Sequence, residues 1–473
     1  MPLDRRSFLR RLAQAGVAAP SLAGLARWSW ASPSEALAAR QQAAGYGPLS
    51  PSRDCPELEI PAGFRCQRVS VALAPSPARS SLVVPNAFDG METFALPNGN
   101  LRLIRNHEMV DSAARGSPIG SPFYDGKSSG GTTSLEVRIS GSGEGLRVEL
   151  VDEFVSLAGT LNNCAGGPTP WGSWLSGEEN CNGTSDGYDQ PHGYVFEVPA
   201  SATGPVTPVP LKAMGRFVHE AVAIDPDTGI VYETEDAYYV PTNPRQPGAG
   251  FFRFIPQRRD VLAEGGRLQV MTVPGQRNFL TARRMQPGTT VPAAWIDIED
   301  PDPAAAETEP LTVFREGMAK GAAIFARLEG AFWGDGGVYF VSTSGGDARA
   351  GQVFHYKPTS ANEGELTLIF ASPSRDVLDA PDNVCIAPGG AGVILCEDGS
   401  REQFIRRLDR QGNVANLVRS PVVEGRPGPG EFAGACFSPG GRVMFFNVQG
   451  GRSIGNTYAS ATYAFWRTGG SGW

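Results

Sequence analysis

The chain has 473 residues, 41% hydrophobic and 19% charged, with 59 glycines and 39 prolines. That length holds one large β domain or two or three ordinary ones. The turn-forming content suits β structure better than helices. A formal net charge of −8 offers no basic patch to neutralise phosphates, so a nucleic-acid partner is excluded.

Residues 1–38 read as an export signal. Arg5-Arg6-Ser7-Phe8-Leu9 opens it, the apolar small-residue run Leu12–Leu25 follows, and Ala36-Leu37-Ala38 offers a cleavage site. The adjacent arginines and weak apolar region predict the twin-arginine route, which carries folded proteins. The twin-arginine translocase is therefore an expected partner, and a periplasmic or secreted location follows. Cleavage after Ala38 removes five arginines against two acids and leaves a charge of −11. No other stretch has the roughly 18 apolar residues a membrane span needs, so no stable membrane insertion is expected.

Residues 39–80 form a Pro/Ser-rich lead-in, and 81–473 a single repeat domain. Its unit is a strand, a Pro/Gly-rich turn, a second strand, and a polar or acidic residue at the strand end. The copies, in chain order, are Met91–Glu108, Asn162–Glu179, His219–Asp236, Glu329–Gly346, Asp382–Gly399 and Phe432–Gln449. In the two clearest, Glu220 precedes Glu235 by 15 residues, and Asp382 precedes Glu397 by 15. A third, period-2 strand follows each hairpin: Thr133–Ile139, Gly193–Val198, Gly250–Ile255, Gly351–Tyr356, Gln403–Leu408 and Thr462–Trp466. The pattern predicts an all-β protein, a six-bladed β-propeller closed by pairing of the terminal strands, and a monomer. The stretch 257–320, rich in Arg, Pro and acids, is expected to be an insertion between blades.

Seven cysteines, in an oxidising compartment, permit disulfides and leave at least one thiol over. Cys385 with Cys396, and Cys55 with Cys66, are the plausible pairs.

The hairpins bring two sets of residues to one end of the sheet. Second strands end at Glu108, Glu178-Glu179, Glu235-Asp236 and Glu397-Asp398. First strands begin at Asn163-Cys164, His219-Glu220, Glu329 and Asp382-Asn383. In a propeller the first strand lines the axis, so one mouth should collect about eight oxygen donors and a sulfur. Hard oxygens suit Ca2+, whereas a thiolate asks for a softer transition metal. The predicted metal ligands are Glu108, Cys164, Glu178, Glu179, Glu220, Glu235, Glu329, Asp382 and Glu397. A single Glu-Asp pair at a strand end is more often a turn acceptor; recurrence in six places favours ligation. His107 and His219 are open between ligand, orienting group and surface residue. Cys164 is also a candidate catalytic residue. Arg349, in the loop Ser342–Gly351 over the mouth, is a second candidate catalytic residue.

Asn162-Asn163-Cys164-Ala165-Gly166-Gly167, Thr169-Pro170-Trp171-Gly172-Ser173-Trp174 and Glu178-Glu179 resemble the signature of the PhoX alkaline phosphatases. Arg216-Phe217 with His219-Glu220, Thr234-Glu235-Asp236, Glu329-Gly330, Pro381-Asp382-Asn383, Glu397-Asp398-Gly399 and Phe432-Ala433-Gly434 resemble further motifs of that family, in the same order. The resemblance implies a six-bladed propeller with an iron–calcium cluster at its mouth (Fe3+ and Ca2+). It implies hydrolysis of a small-molecule phosphomonoester outside the cytoplasm, with Cys164 as an iron ligand. Two other readings keep the acid-rich axis without a thiolate: a calcium-dependent propeller lactonase or esterase, and a non-catalytic propeller braced by calcium.

Overall fold

The computed structural model describes residues 45–109, 117–421, 430–450, 459–469 and 473; the expected export signal lies outside them. Short strands joined by tight turns make up nearly all of it. The turn between His219–Ile224 and Val231–Glu235 is typical. Asp225 accepts the Asp227 N–H at 2.9 Å and the Thr228 hydroxyl at 2.7 Å. Gly229 then takes φ +76°, a conformation that strains a side chain.

Six inner strands pack side by side in a closed ring: Phe88–Ala95, Asn163–Pro168, His219–Ile224, Leu328–Gly334, Pro381–Ala387 and Phe432–Phe437. Each leads an antiparallel blade, numbered one to six in that order. Gly90, Ala165, Ala221, Gly330, Asn383 and Gly434, one from each inner strand, line an axial cavity of about 30 Å³. Small residues are required there. A Cβ on Gly90 would lie 2.8 Å from Ala165 Cα, and one on Gly330 2.6 Å from the Asp382 carbonyl oxygen.

Blades three and four belong to one nine-stranded sheet, because Thr290–Asp297 bridges their outer strands. The stretch 257–320 is therefore only partly an insertion. Gly266–Thr272 within it is the outer strand of blade three. Aromatic side chains fill the gap between these two blades, with Phe251 stacked on Phe340 at 4.2 Å between ring centroids. Burying each such ring contributes about 1.5–3 kcal/mol.

The ring closes through the lead-in. Phe64–Val71 pairs with Ala461–Arg467 as the outer strand of blade six, and Trp466 faces Arg65. A buried polar network fastens this closure to blade one. Ser70 Oγ donates to Glu153 Oε1 at 2.7 Å, and Arg105 reaches Glu153 Oε1 at 3.0 Å and Thr462 Oγ1 at 2.8 Å.

The seven cysteines are buried free thiols. Cys385 and Cys396 are not cross-strand partners: Cys385 pairs with Ile394, and Cys396 with Ile405 of the next strand.

Candidate metal centre and active site

The same irregularity recurs in every inner strand. The register with the second strand slips between Phe88 and Met91, Asn163 and Gly166, His219 and Val222, Leu328 and Ala331, Pro381 and Val384, and Ala433 and Cys436. A β-bulge at a sheet end re-aims the side chain it carries. The residues in these bulges include Asp89, Cys164, Glu220, Glu329 and Asp382. A second set lies one position past the end of each second strand: Glu108, Glu179, Asp236, Thr343, Asp398 and Gln449.

Members of these two sets, with Glu431, make one acidic arc. Four overlapping groups hold potential ligand atoms within 4.8 Å of one another: Asp89–Glu108–Cys164, Cys164–Glu179–Glu220, Glu220–Glu329–Asp382, and Asp382–Asp398–Glu431. The donors are therefore eight carboxylates and one thiol. The Cys164 backbone is pinned by Asn106, whose Nδ2 donates to the carbonyls of Cys164 at 3.0 Å and Ala165 at 2.8 Å. Blade six contributes an amide: Gln449 Nε2 donates to Asp89 Oδ2 and, at 2.9 Å, to Glu108 Oε2.

Ionising this arc without cations is costly. Burial, followed by the Glu329, Glu179, Asp382 and Asp89 carboxylates, holds the Glu220 carboxyl well above its usual range. Burial and the carboxylates of Asp89, Glu220, Glu108 and Glu179 do the same to the Cys164 thiol. Glu220 Oε2 is buried and accepts no hydrogen bond among the described residues. A buried carboxylate oxygen with no donor, among other carboxylates, fits a bound cation.

The family profile described as alkaline phosphatase PhoX matches residues 44–451. The chain belongs to the PhoX alkaline phosphatase family. It is accordingly a hydrolase of phosphate monoesters. No curated protein matches the chain. Among solved structures, it is similar to Pseudomonas fluorescens PhoX in complex with vanadate, a transition-state analogue. The TM-score is 0.64 and the identity 17%, over 89% of this chain and 97% of that one. Two likenesses are weaker. The Pseudomonas aeruginosa periplasmic gluconolactonase PpgL gives a TM-score of 0.36 at 13% identity, over 80% of this chain and 88% of that one. A putative 6-phosphogluconolactonase from Bacteroides uniformis gives 0.34 at 10%, over 69% and 83%.

In this PhoX chain the arc gathers Glu108, Cys164, Glu179, Glu220, Glu329 and Asp382 from the expected set. It leaves out Glu178, Glu235 and Glu397, and their common position explains why. Each is the last residue of its second strand, paired with Asn163, His219 and Pro381 respectively. One step along a strand reverses the side chain's direction, so the ladder acid turns into its blade while its successor faces the mouth. Glu178 accepts from Leu161 N–H at 2.8 Å, Gly193 N–H at 2.8 Å and Tyr194 N–H at 3.1 Å, and meets His192 Nδ1 at 2.7 Å. Glu235 accepts the Gly250 N–H at 2.8 Å. Glu397 accepts the Asp379 N–H at 2.9 Å and pairs with Arg406 at 2.5 Å. These three brace loops around the mouth.

His107 and His219 occupy ladder positions too, outside the arc. His107 bridges the Asn86 carbonyl at 2.7 Å and Thr133 Oγ1 at 2.8 Å. His219 lies against Phe217, with ring centroids 3.7 Å apart, and its Nε2 reaches the Gly215 carbonyl at 3.1 Å.

Asp89, Asp398 and Glu431 escape the sequence reading. Asp398 is the member of the Glu397-Asp398 pair that the sequence reading passed over in favour of Glu397. Asp89 falls two residues before the assumed start of the first repeat. Glu431 precedes its strand and carries no repeat signal.

The guanidinium at the arc is Arg327. Its Nη2 makes an ion pair with Glu329 Oε1 at 2.7 Å, and it grips Asp236 through Nε at 2.9 Å and Nη2 at 2.9 Å. Arg349 is exposed, on a residue with φ +51° whose N–H donates to the Gly346 carbonyl at 3.0 Å. No described contact joins its side chain to the arc. The loop assignment for Arg349 thus gives way to a residue whose guanidinium touches a member of the acidic set.

Proposed function

We propose that this chain hydrolyses phosphate monoesters at the propeller mouth with calcium and iron held by the arc. The gathering of eight carboxylates and a thiol on one chain of contacts carries this reading. Glu220–Glu329–Asp382 and Asp382–Asp398–Glu431 offer only oxygen, which suits Ca2+. The two groups that share Cys164 add a sulfur, which suits iron. Bound there, the cations supply charge neutralisation and Lewis acidity at the phosphoryl oxygens.

The chain's own groups do the rest. Cys164 now donates its proton to Glu220 Oε1 at 3.3 Å and must lose it to act as a ligand. Arg327, oriented by Asp236, puts a guanidinium charge beside the arc for phosphate oxygens. Phosphoryl transfer in line at phosphorus depends mainly on such positioning and neutralisation. The thiol and the guanidinium favour this reading over a calcium-only lactonase, which needs neither.

We place the working protein outside the cytoplasm, after twin-arginine export. The paired arginines at Arg5-Arg6 support this, and no described helix is long and apolar enough to cross a membrane.

The test is kinetic. On a chromogenic phosphomonoester, Arg327→Met should lower kcat/KM by about 100-fold or more, whereas Arg349→Ala should stay within about twofold of the parent. Equal effects of the two changes would remove Arg327 from the site.

A further inference from the structure

Tyr238 is 52% exposed. It follows the second strand of blade three, Val231–Glu235, just beyond Asp236 at the mouth. The Arg327 guanidinium carbon lies 5.0 Å from the centroid of its ring, and the same guanidinium meets Glu329 at 2.7 Å. The segment is tied down by its backbone. The Tyr238 carbonyl accepts the Gly248 N–H at 3.0 Å, and the Ala237 carbonyl accepts the Arg327 N–H at 2.9 Å. The ring therefore stands at a fixed place on the rim, beside the guanidinium assigned to the phosphoryl group.

A phosphomonoester bound with its phosphoryl oxygens on the arc must point its ester oxygen and alcohol portion outward, past the rim. We propose that Tyr238 is a specificity-determining residue that stacks on the leaving group. It favours monoesters of planar aromatic alcohols over those of small aliphatic alcohols. The assignment rests on the phosphomonoesterase reading above. Offset stacking adds to area burial only when the partner is itself a flat π surface, which gives the selection its direction.

The experiment compares phenyl phosphate with glycerol phosphate on the metal-loaded protein. The ratio of their kcat/KM values should fall about fivefold in Tyr238→Ala, mostly through the KM of phenyl phosphate, and hold in Tyr238→Phe. Phenylphosphonate, which is not hydrolysed, should lose inhibitory affinity by a similar factor relative to inorganic phosphate. An unchanged ratio in Tyr238→Ala, or an equal fall for both esters, would overturn the proposal, because the ring would then only hold Arg327. Parent protein inactive on both esters would overturn the phosphomonoesterase reading itself.

Discussion

The Cys164 thiol donates to Glu220 Oε1 at 3.3 Å, joining the inner strands of blades two and three at the mouth. Both groups are buried and both resist ionisation in the field of their neighbours. A sulfur placed there is poorly suited to be a nucleophile or a disulfide partner, and well suited to release its proton to solvent when a cation binds it. Cys164→Ala should leave the fold intact and remove iron while retaining calcium on the all-oxygen groups. Phosphatase activity should fall on the order of 100-fold. Elemental analysis of the purified variant beside its kinetics checks this; full iron content with full activity would remove the thiol from the site.

The two members of the Glu397-Asp398 pair should behave differently. Glu397→Gln leaves Arg406, 3% exposed, without its charge partner, so stability should drop by about 3 kcal/mol. Asp398→Asn should leave stability of the metal-free protein within about 0.5 kcal/mol and weaken calcium binding by about tenfold or more. Denaturant melts and calcium titrations of both variants separate the roles. If Glu397→Gln alone weakened calcium binding, the assignment of inward and outward faces would be reversed.

Much of this was legible in the sequence, and the losses have one cause. The repeat located six hairpins and the end of the sheet where acids collect, so Cys164, Glu220, Glu329 and Asp382 could be named from spacing. What spacing alone does not give is the bulge near the start of each inner strand. Without it, the parity of each strand end is ambiguous, and Glu397 is as good a choice as Asp398. The same ambiguity starts the first repeat late and misses Asp89. Arg327 was hidden because it belongs to no repeat position: it enters from φ +48°, a kink just before blade four that turns it toward Asp236 and Glu329.

At the axial cavity, Glu92 sets a pH dependence separate from the mouth. It is 8% exposed and lines the cavity among the small inner-strand residues. Burial raises its carboxyl to about 7, although it accepts the Thr93 N–H at 2.7 Å. A raised value in the folded state means that folding keeps a proton the unfolded chain has lost. Stability should be highest below the ordinary glutamate range, near 4.5, and fall as pH rises to about 7. The loss from this one group amounts to about 3 kcal/mol. Glu92→Gln should be flatter than the parent over that window by about that amount in denaturant melts. Parallel curves would place the titration elsewhere.

Cations bound by the acidic arc are proposed to make the protein a phosphatase. Metal content and phosphomonoesterase activity measured on one purified sample, before and after exhaustive chelation and again after adding back iron and calcium, test it most directly. Both metals are expected in the active sample, with loss of activity on their removal and recovery only when both return. Full activity in a sample shown to be free of iron and calcium would contradict it.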